Sequence, residues 1–185
     1  PHELLDLWRY NKGVMQDILF SAVSQTIKQL SKDNQWLDAQ PGYLLALHTW
    51  GRNLSLHPHI HCLISHGGLD KRGVWRAPNK KILFPAKVMM KLFRGKFLSA
   101  LGELKALDRP PTMSARDQRV LVSKLWRKDW VVHCCKPYAY GRGVVTYLSR
   151  YVKKGAFNQN QIRMNDARQI CFTYQDHQRG KSRRS

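Results

Sequence analysis

Residues 56–64 read LHPHIHCLI, and residues 43–50 before them read YLLALHTW. The first run combines apolar and aromatic residues between Gly42 and Gly51, and the second is mainly apolar after Pro58, which is typical of β-strands. We therefore predict strands at Tyr43–Trp50 and His59–Ile64, with Gly51–Pro58 as the loop between them. A connection this short favours an antiparallel hairpin.

The second predicted strand carries a pair of histidines on one face. Side chains two apart on a strand share a face, so His59 and His61 point the same way while Ile60 and Cys62 point to the other side. The hairpin brings His48 of the first strand near this pair. Three neutral imidazoles bind divalent metals and leave coordination positions for water and a phosphate oxygen. The sequence therefore predicts a metal site at these three histidines.

Two other assignments stay open for these histidines. His57 is the alternative third ligand, although the predicted loop places it before Pro58, and His66 is expected to be a loop residue. The pair His59 and His61 would also fit exposed strand residues without a ligand role. Imidazoles suit Mn²⁺ better than Mg²⁺, which prefers oxygen ligands, so we expect Mn²⁺ or the more abundant Mg²⁺.

A tyrosine pair lies on the helix predicted at residues 144–154. Tyr147 and Tyr151 are four apart, so their hydroxyls share one side of the helix. Arg150 and Lys154 lie on the tyrosine side, where a cation would hold a phosphate. The apolar stripe of the helix is separate and consists of Val144, Leu148 and Val152. The tyrosines are thus not needed for an amphipathic helix, although part-buried packing residues are the alternative.

The remaining chain mixes helices and short strands without a repeat or a regular βαβ order. Apolar spacing predicts further helices at 13–31, 85–107 and 115–128, and further strands at 74–75, 130–135, 161–164 and 169–174. Ser114 is the predicted N-cap of the third of these helices. An α+β fold follows, with an antiparallel or mixed sheet and helices packed on one face. Residues 1–177 are predicted to form one domain, and residues 178–185 a basic, flexible tail.

The charge of the chain points to a polyanionic partner. Lys and Arg number 32 against 12 Asp and Glu, a net charge of +20. Nucleic acid is the expected partner, because cations near phosphates release condensed counterions. No apolar span or wholly apolar helix face supports membrane binding. The sequence contains no phosphate-binding loop that would indicate a nucleotide cofactor. It also shows no secretory signal, so a cytoplasmic protein is expected.

These motifs together resemble the HUH endonuclease superfamily, and within it the two-tyrosine transposases of rolling-circle insertion sequences. The stretches that carry the resemblance are LLDLW at 4–8, LHTWG at 47–51, LHPHIH at 56–61 and YLSRY at 147–151. The family usually carries a cysteine-rich zinc-binding segment before this region, whereas the four cysteines here form no Cys-x-x-Cys pair. The chain begins at Pro1 rather than Met, so we expect a fragment that holds the catalytic domain.

The resemblance implies a ferredoxin-like or palm-type antiparallel sheet with a metal on one face. It implies His59 and His61 as metal ligands, suggests His48 as the third, and implies Tyr147 and Tyr151 as nucleophiles. The expected activity is metal-dependent nicking and strand transfer of single-stranded DNA, at transposon ends and target, in a bacterial, nucleoid-associated setting. Lys154 is expected to assist catalysis, and the expected DNA contacts are Arg52, Arg142, Arg150 and Lys153.

Two other functions would fit parts of the sequence. A non-catalytic module that binds single-stranded nucleic acid explains the charge and the aromatic residues, among which Trp50, Trp75 and Tyr140 would stack on bases. It does not explain the arrangement of the histidines. A zinc hydrolase with three histidine ligands explains the histidines but leaves the charge unexplained.

Overall fold

The structure is a computed structural model that describes residues 1–51, 55–78, 81–104, 107–138, 141–151, 162–164, 169–172, 174–175 and 183–184. Within these residues the chain forms five α-helices and four small two-stranded sheets. The predicted α+β class with antiparallel pairing is confirmed. The described strands form separate pairs rather than one sheet, and the ferredoxin-like or palm-type arrangement stays a prediction.

The elements follow one another in a mixed order, with a single turn of 3-10 helix at His2–Leu4 before the first α-helix. The helices are α1 Leu5–Tyr10, α2 Lys12–Lys32, α3 Ala86–Glu103, α4 Ala115–Arg127 and α5 Gly141–Tyr151. The strands are β1 Tyr43–Trp50, β2 Leu56–Ile64, β3 Gly68–Leu69, β4 Trp75–Arg76, β5 Ile162–Met164, β6 Ile170–Phe172, β7 Tyr174–Gln175 and β8 Arg183–Arg184. None of the helices in the described part is both long and apolar enough to cross a bilayer.

The chain divides into two compact units. The first, which we call the helical unit, comprises residues 1–45 and 62–137. The second, which we call the histidine unit, comprises residues 46–61 and 138–185. The predicted single domain over residues 1–177 stays a prediction.

The core of the helical unit forms where α2 packs against α3, the start of β1 and the end of β2. Its buried members are Ile27, Leu30, Leu37, Ala39 and Phe84. Tyr43 and Leu45 of β1 pack against this cluster, as do Cys62 and Ile64 of β2. The alternation predicted for β2 is thus seen at Cys62 and Ile64, whose side chains both pack on the core.

A second apolar contact joins α3 to α4 and the segment that follows it. Leu98, Leu101 and Leu125 are fully buried. The Trp130 ring lies with its centroid 5.4 Å from that of Phe93 and 5.3 Å from that of Phe97. α4 begins as predicted: Ser114 Oγ accepts a hydrogen bond from the Asp117 amide, and the Asp117 carboxylate accepts one from the Ser114 amide.

The strand predicted at residues 130–135 is wrong. These residues form neither a helix nor a strand in the structure. Trp130 is buried by the rings of α3, whereas Val131 is 94% exposed and no described strand pairs with this segment. The apolar run therefore reflects packing of single side chains rather than sheet pairing, which needs a hydrogen-bonded neighbour.

Several helix and strand boundaries in the structure differ from the predicted ones. β2 begins at Leu56, so His57 and Pro58 belong to the strand and not to the preceding loop. α3 ends at Glu103 because Leu104 adopts an extended backbone conformation (φ −68°, ψ 121°), four residues before the predicted end. α5 begins at Gly141, three residues early, and is described as far as Tyr151.

Some strands of the short hairpins agree with the strands that the sequence predicts. β3 pairs with β4 through Gly68 opposite Arg76 and Leu69 opposite Trp75. β5 pairs antiparallel with β6, as the two strands predicted in that region suggest. In the predicted tail, β8 pairs with β7. Residues 176–182 and 185 lie outside the described residues, so the flexibility of the tail stays a prediction.

Candidate metal and tyrosine site

The first two strands bring three histidines together in the histidine unit. β1 and β2 are joined by hydrogen bonds at both ends of the hairpin, from the Ser65 amide to the Gly42 carbonyl and from the Gly51 amide to the Ser55 carbonyl. These bonds make the two strands antiparallel, as predicted. His59 and His61 lie two apart on β2, and His48 lies on β1 opposite them.

The spacing of the three imidazoles fits a shared metal ion. One nitrogen from each of His48, His59 and His61 lies within 4.8 Å of the others. The Nε2 atoms of His59 and His61 are 3.1 Å apart. Two nitrogens held about 2.1 Å from one ion, at angles between octahedral and tetrahedral, lie about 3.0–3.4 Å apart. These residues could therefore hold a divalent metal.

A backbone carbonyl fixes which nitrogen of His59 faces the other histidines. His59 Nδ1 lies 2.6 Å from the His57 carbonyl oxygen. Since that oxygen can only accept, Nδ1 carries the proton and donates it. The neutral ring then presents the Nε2 lone pair toward His61. A carbonyl that orients a ligand histidine in this way is a common second partner in metal sites.

The site keeps His61 neutral. Burial, together with the smaller effects of the neighbouring His59 and His48, lowers the pKa of His61 from its ordinary value of 6.5 to about 4. At neutral pH this imidazole is therefore uncharged, which is the form that binds a metal.

A tryptophan stacks on the third histidine. His48 is 9% exposed, and its ring lies 5.1 Å from that of Trp50 at an interplanar angle of 11°. The ring centroid of His48 lies 4.7 Å from that of His61 and 5.6 Å from that of His59. We predicted Trp50 only as a base-stacking candidate, although its position two residues after His48 places both on one strand face.

Cys62, which follows His61, lies in an apolar environment that does not favour metal binding. It packs against the core of the helical unit. Burial, with a smaller effect of Cys134, raises the pKa of the Cys62 thiol to about 11. The thiol is thus protonated at neutral pH and is unsuited to bind a metal, because the thiolate is the ligand form.

Tyr147 lies beside the histidines. Its ring centroid is 6.1 Å from that of His61. On another side it lies 6.4 Å from Tyr138, a contact that we did not predict. Tyr138 also packs on the first turn of α5, where a Cβ atom at Gly143 would lie 2.5 Å from the Tyr138 ring. A glycine is required at this position because the tyrosine ring takes the space of a side chain.

The structure describes only part of the other predicted site residues. Tyr151 is the last described residue of α5, and its side chain and that of Arg150 lie outside the described part. Arg142 is exposed in the first turn of α5. The remaining predicted positions lie outside the described residues, namely Arg52, Tyr140, Lys153 and Lys154.

The alternative ligands are not part of the cluster. Among the described residues, the metal-binding group of three contains His48, His59 and His61 but neither His57 nor His66. The His57 ring lies 5.1 Å from that of His59 and is exposed. His66 is exposed in the turn after β2.

Comparison with known proteins identifies related sequences. The model of the family Y2_Tnp, described as "Putative transposase", matches residues 42–185. The chain is 30% identical over 97% of its length to "Putative transposase y4qJ" of Sinorhizobium fredii (strain NBRC 101917 / NGR234), of which it covers 47%. It is 31% identical over 96% of its length to "Transposase for insertion sequence element IS801" of Pseudomonas savastanoi pv. phaseolicola, of which it covers 43%. The chain thus spans less than half the length of these relatives. No solved structure matches it.

Proposed function

Because this chain belongs to the two-tyrosine (Y2) transposase family, we propose that it nicks and rejoins single-stranded DNA during rolling-circle transposition, with Tyr147 and Tyr151 as nucleophiles. Metal dependence through His48, His59 and His61 is part of the proposal. So is an HUH-type fold, in which these side chains share one face of a sheet.

One observation carries the proposal. The three histidines converge on one point, and the Tyr147 ring lies 6.1 Å from the His61 ring within the same compact unit. A packing tyrosine needs no neighbouring cluster of metal ligands, and a bare metal site needs no tyrosine. The combination supports phosphoryl transfer to a tyrosine hydroxyl.

The histidines would hold a divalent metal. A metal in this site would supply Lewis-acid stabilisation of negative charge on a phosphate oxygen. The protein contributes the orientation of the ligands: the His57 carbonyl holds His59, and Trp50 stacks on His48. The all-nitrogen donor set suits Mn²⁺ better than Mg²⁺ in solution tests.

The tyrosines would carry the covalent step. A phenol has an ordinary pKa near 10 and is a weak nucleophile until its proton is removed. The Tyr147 or Tyr151 oxygen attacks the phosphorus, and its proton passes to solvent. The bond between phosphorus and the 3′ oxygen breaks, and that oxygen takes a proton from water to become a 3′-hydroxyl. The 5′ phosphate stays on the tyrosine, so a second 3′-hydroxyl can attack it and restore a phosphodiester without ATP.

Positively charged residues would hold the DNA. The net charge of +20 fits a polyanionic substrate. We assign Arg52, Arg142, Arg150 and Lys153 to the single-stranded donor and target, and Lys154 to the phosphate beside the tyrosines. The protein would act in the bacterial cytoplasm, at the nucleoid. A second tyrosine suits a reaction that must hold two covalent DNA ends.

The test is formation of a covalent adduct. Labelled single-stranded oligonucleotides of several sequences are mixed with the protein and Mn²⁺ or Mg²⁺, and an adduct that survives SDS is sought. We expect the adduct to vanish with EDTA or His59→Ala, to weaken with Tyr147→Phe or Tyr151→Phe, and to vanish with both. The matched controls are His133→Ala and Tyr10→Phe, which change exposed residues of the helical unit.

The same experiment separates the rival function. Tight binding of single strands without an adduct, unaffected by EDTA, would overturn the nickase proposal in favour of a non-catalytic binding module. An adduct that persists in the double tyrosine variant would overturn the assignment of the nucleophiles.

A further inference from the structure

The outer face of α4 carries three arginines without an acidic partner. Arg116, Arg119 and Arg127 are exposed, and no ion pair involves them in the part of the chain that the structure describes. With 3.6 residues per turn, these positions fall within a wedge of about 80° and span about 16 Å along the helix axis. They form one stripe, which we call the arginine face.

The other charged side chains of α4, and that of Lys128 just after it, have hydrogen-bond or ion-pair partners. Asp117, the sole acid of α4, accepts hydrogen bonds from the amide and hydroxyl of Ser114, at 2.9 and 2.6 Å. Lys124 and Lys128 lie 3.8 and 2.7 Å from one oxygen of Glu3. Among the charges of α4, the positive charge without an acidic partner in the described residues therefore lies on the arginine face.

The opposite side of α4 is fixed to the helical unit. Leu125 is fully buried. Trp126, which is 42% exposed and borders the arginine face beside Arg119, lies against Gly95 of α3, where a Cβ atom would be 3.7 Å from its ring. Just beyond the helix, the Lys128 carbonyl accepts a hydrogen bond of 2.8 Å from Arg94. The arginine face is thus presented by a helix with fixed orientation, as a recognition surface requires.

The sequence around the face is strongly basic. Residues 86–128 hold eleven Lys and Arg against three Asp and Glu. By contrast, residues 1–45 hold four Lys and Arg against five Asp and Glu. Residues 86–128 thus carry a net charge of +8, whereas residues 1–45 carry −1.

We propose that the arginine face of α4 binds double-stranded DNA, with the helix along the major groove and the arginines on phosphates. The major groove admits a single α-helix. Ser123 within the face and Val120 at its edge are exposed and small enough for close approach to the groove. Sequence-tolerant binding of a single strand relies instead on stacking of bases on aromatic side chains, whereas Trp126, the aromatic residue that borders this stripe, packs against Gly95 of α3. This binding is non-covalent and goes beyond the proposed nicking activity.

The test is equilibrium binding of a fluorescent 20-base-pair duplex of arbitrary sequence, and of one of its strands alone. The variant is Arg116→Gln, Arg119→Gln and Arg127→Gln together. We expect its duplex affinity to fall by roughly 30-fold or more near 0.1 M salt. The slope of log affinity against log salt should become shallower by about 3, one unit for each lost phosphate contact. Single-strand affinity should fall much less.

Two further variants make the result decisive. Lys12→Gln, Lys28→Gln and Lys32→Gln together remove the same charge from exposed positions of α2, and we expect a change of no more than about threefold. Replacing the three arginines by lysine keeps the charge and should retain most duplex affinity. Equal losses in both glutamine variants, or a larger loss for single strands than for duplex, would overturn the proposal.

The outcome is independent of the catalytic proposal. The double variant Tyr147→Phe and Tyr151→Phe should bind the duplex as the unchanged protein does. If that variant abolishes adducts but leaves duplex binding intact, the nicking proposal and the arginine face are both supported. Circular dichroism of each variant checks that the fold is retained, which we expect because the three arginines are exposed.

Discussion

At the scale of single residues, the candidate metal site depends on groups that are not themselves ligands. The His57 carbonyl sets the tautomer of His59 through a bond of 2.6 Å. The Trp50 ring lies parallel to that of His48 and limits how this imidazole can turn. Contacts of this kind lower the entropy lost when a metal binds, because the ligands are already oriented.

Trp50 therefore offers a test of ligand orientation. Trp50→Ala removes the stacked ring and should weaken Mn²⁺ binding by about 3- to 10-fold, since an aromatic contact contributes about 1 kcal/mol. Trp50→Phe keeps a stacked ring and should retain most of the affinity. The measurement is calorimetric titration of metal-free protein with Mn²⁺. Trp75→Ala, at an exposed position of the helical unit, is the control, and equal affinities for both alanine variants would contradict this role.

Sequence alone predicted that His48, His59 and His61 come together, but not the groups that support them. Strand periodicity places His59 and His61 on one face, and a short hairpin brings His48 near them. The position of Trp50 follows the same rule but was not used for this purpose. The His57 carbonyl could not be foreseen, because the predicted strand began after Pro58 and a backbone hydrogen bond depends on the local path of the chain.

At the scale of elements, α4 shows how local chemistry fixes a helix. Ser114 and Asp117 form a reciprocal capping pair, which satisfies amide groups at the start of the helix that would otherwise lack partners. Ser114 was predicted from sequence as the N-cap, and the helix begins at the next residue.

Ser114→Ala should lower the free energy of unfolding by about 1 kcal/mol, because it removes the acceptor for the Asp117 amide. Ser114→Thr keeps a hydroxyl and should lose less. Urea unfolding followed by circular dichroism measures the effect. Ser99→Ala, at an exposed position inside α3, is the control and should not destabilise the protein. An equal loss in both alanine variants would contradict the capping role.

The wrong strand prediction at residues 130–135 has a physical cause. The run from Trp130 to Cys135 has the composition of a strand, but the ring packing of Trp130 on Phe93 and Phe97 determines its path. Strand pairing depends on distant residues, whereas helix capping depends on neighbours in sequence. Hence α2, α4 and the local β1–β2 hairpin were predicted closely, while the strand at 130–135 was not.

At the scale of the whole molecule, an ion pair joins the start of the chain to the end of α4. Lys128 Nζ donates a hydrogen bond of 2.7 Å to Glu3. This bond is the main cause that lowers the pKa of Glu3 from its ordinary value of 4.5 to about 2. The Glu3 side chain is only 24% exposed, so solvent screens the pair incompletely.

The sign of the pH effect follows from this lowered pKa. A carboxyl whose folded pKa lies below its unfolded value stabilises the fold above about pH 4.5, and loses that contribution as the pH falls toward 2. Because Lys128 is 46% exposed and solvent weakens the pair, Lys128→Met should cost about 1 kcal/mol at pH 7 and much less near pH 2. Urea unfolding at both pH values measures the difference. Lys12→Met, at an exposed position, is the control, and a pH-independent cost at Lys128 would contradict this account.

The central claim is that a tyrosine of α5 becomes covalently joined to DNA, and mapping that bond tests it most directly. Trypsin cuts after Arg142, Arg150 and Lys153, so Tyr147 and Tyr151 fall in separate peptides, GVVTYLSR and YVK. After reaction with an oligonucleotide and nuclease trimming, mass spectrometry should find a nucleotide phosphate on one or both peptides. A nucleotide phosphate on any other peptide, or none on an active preparation, would contradict the claim.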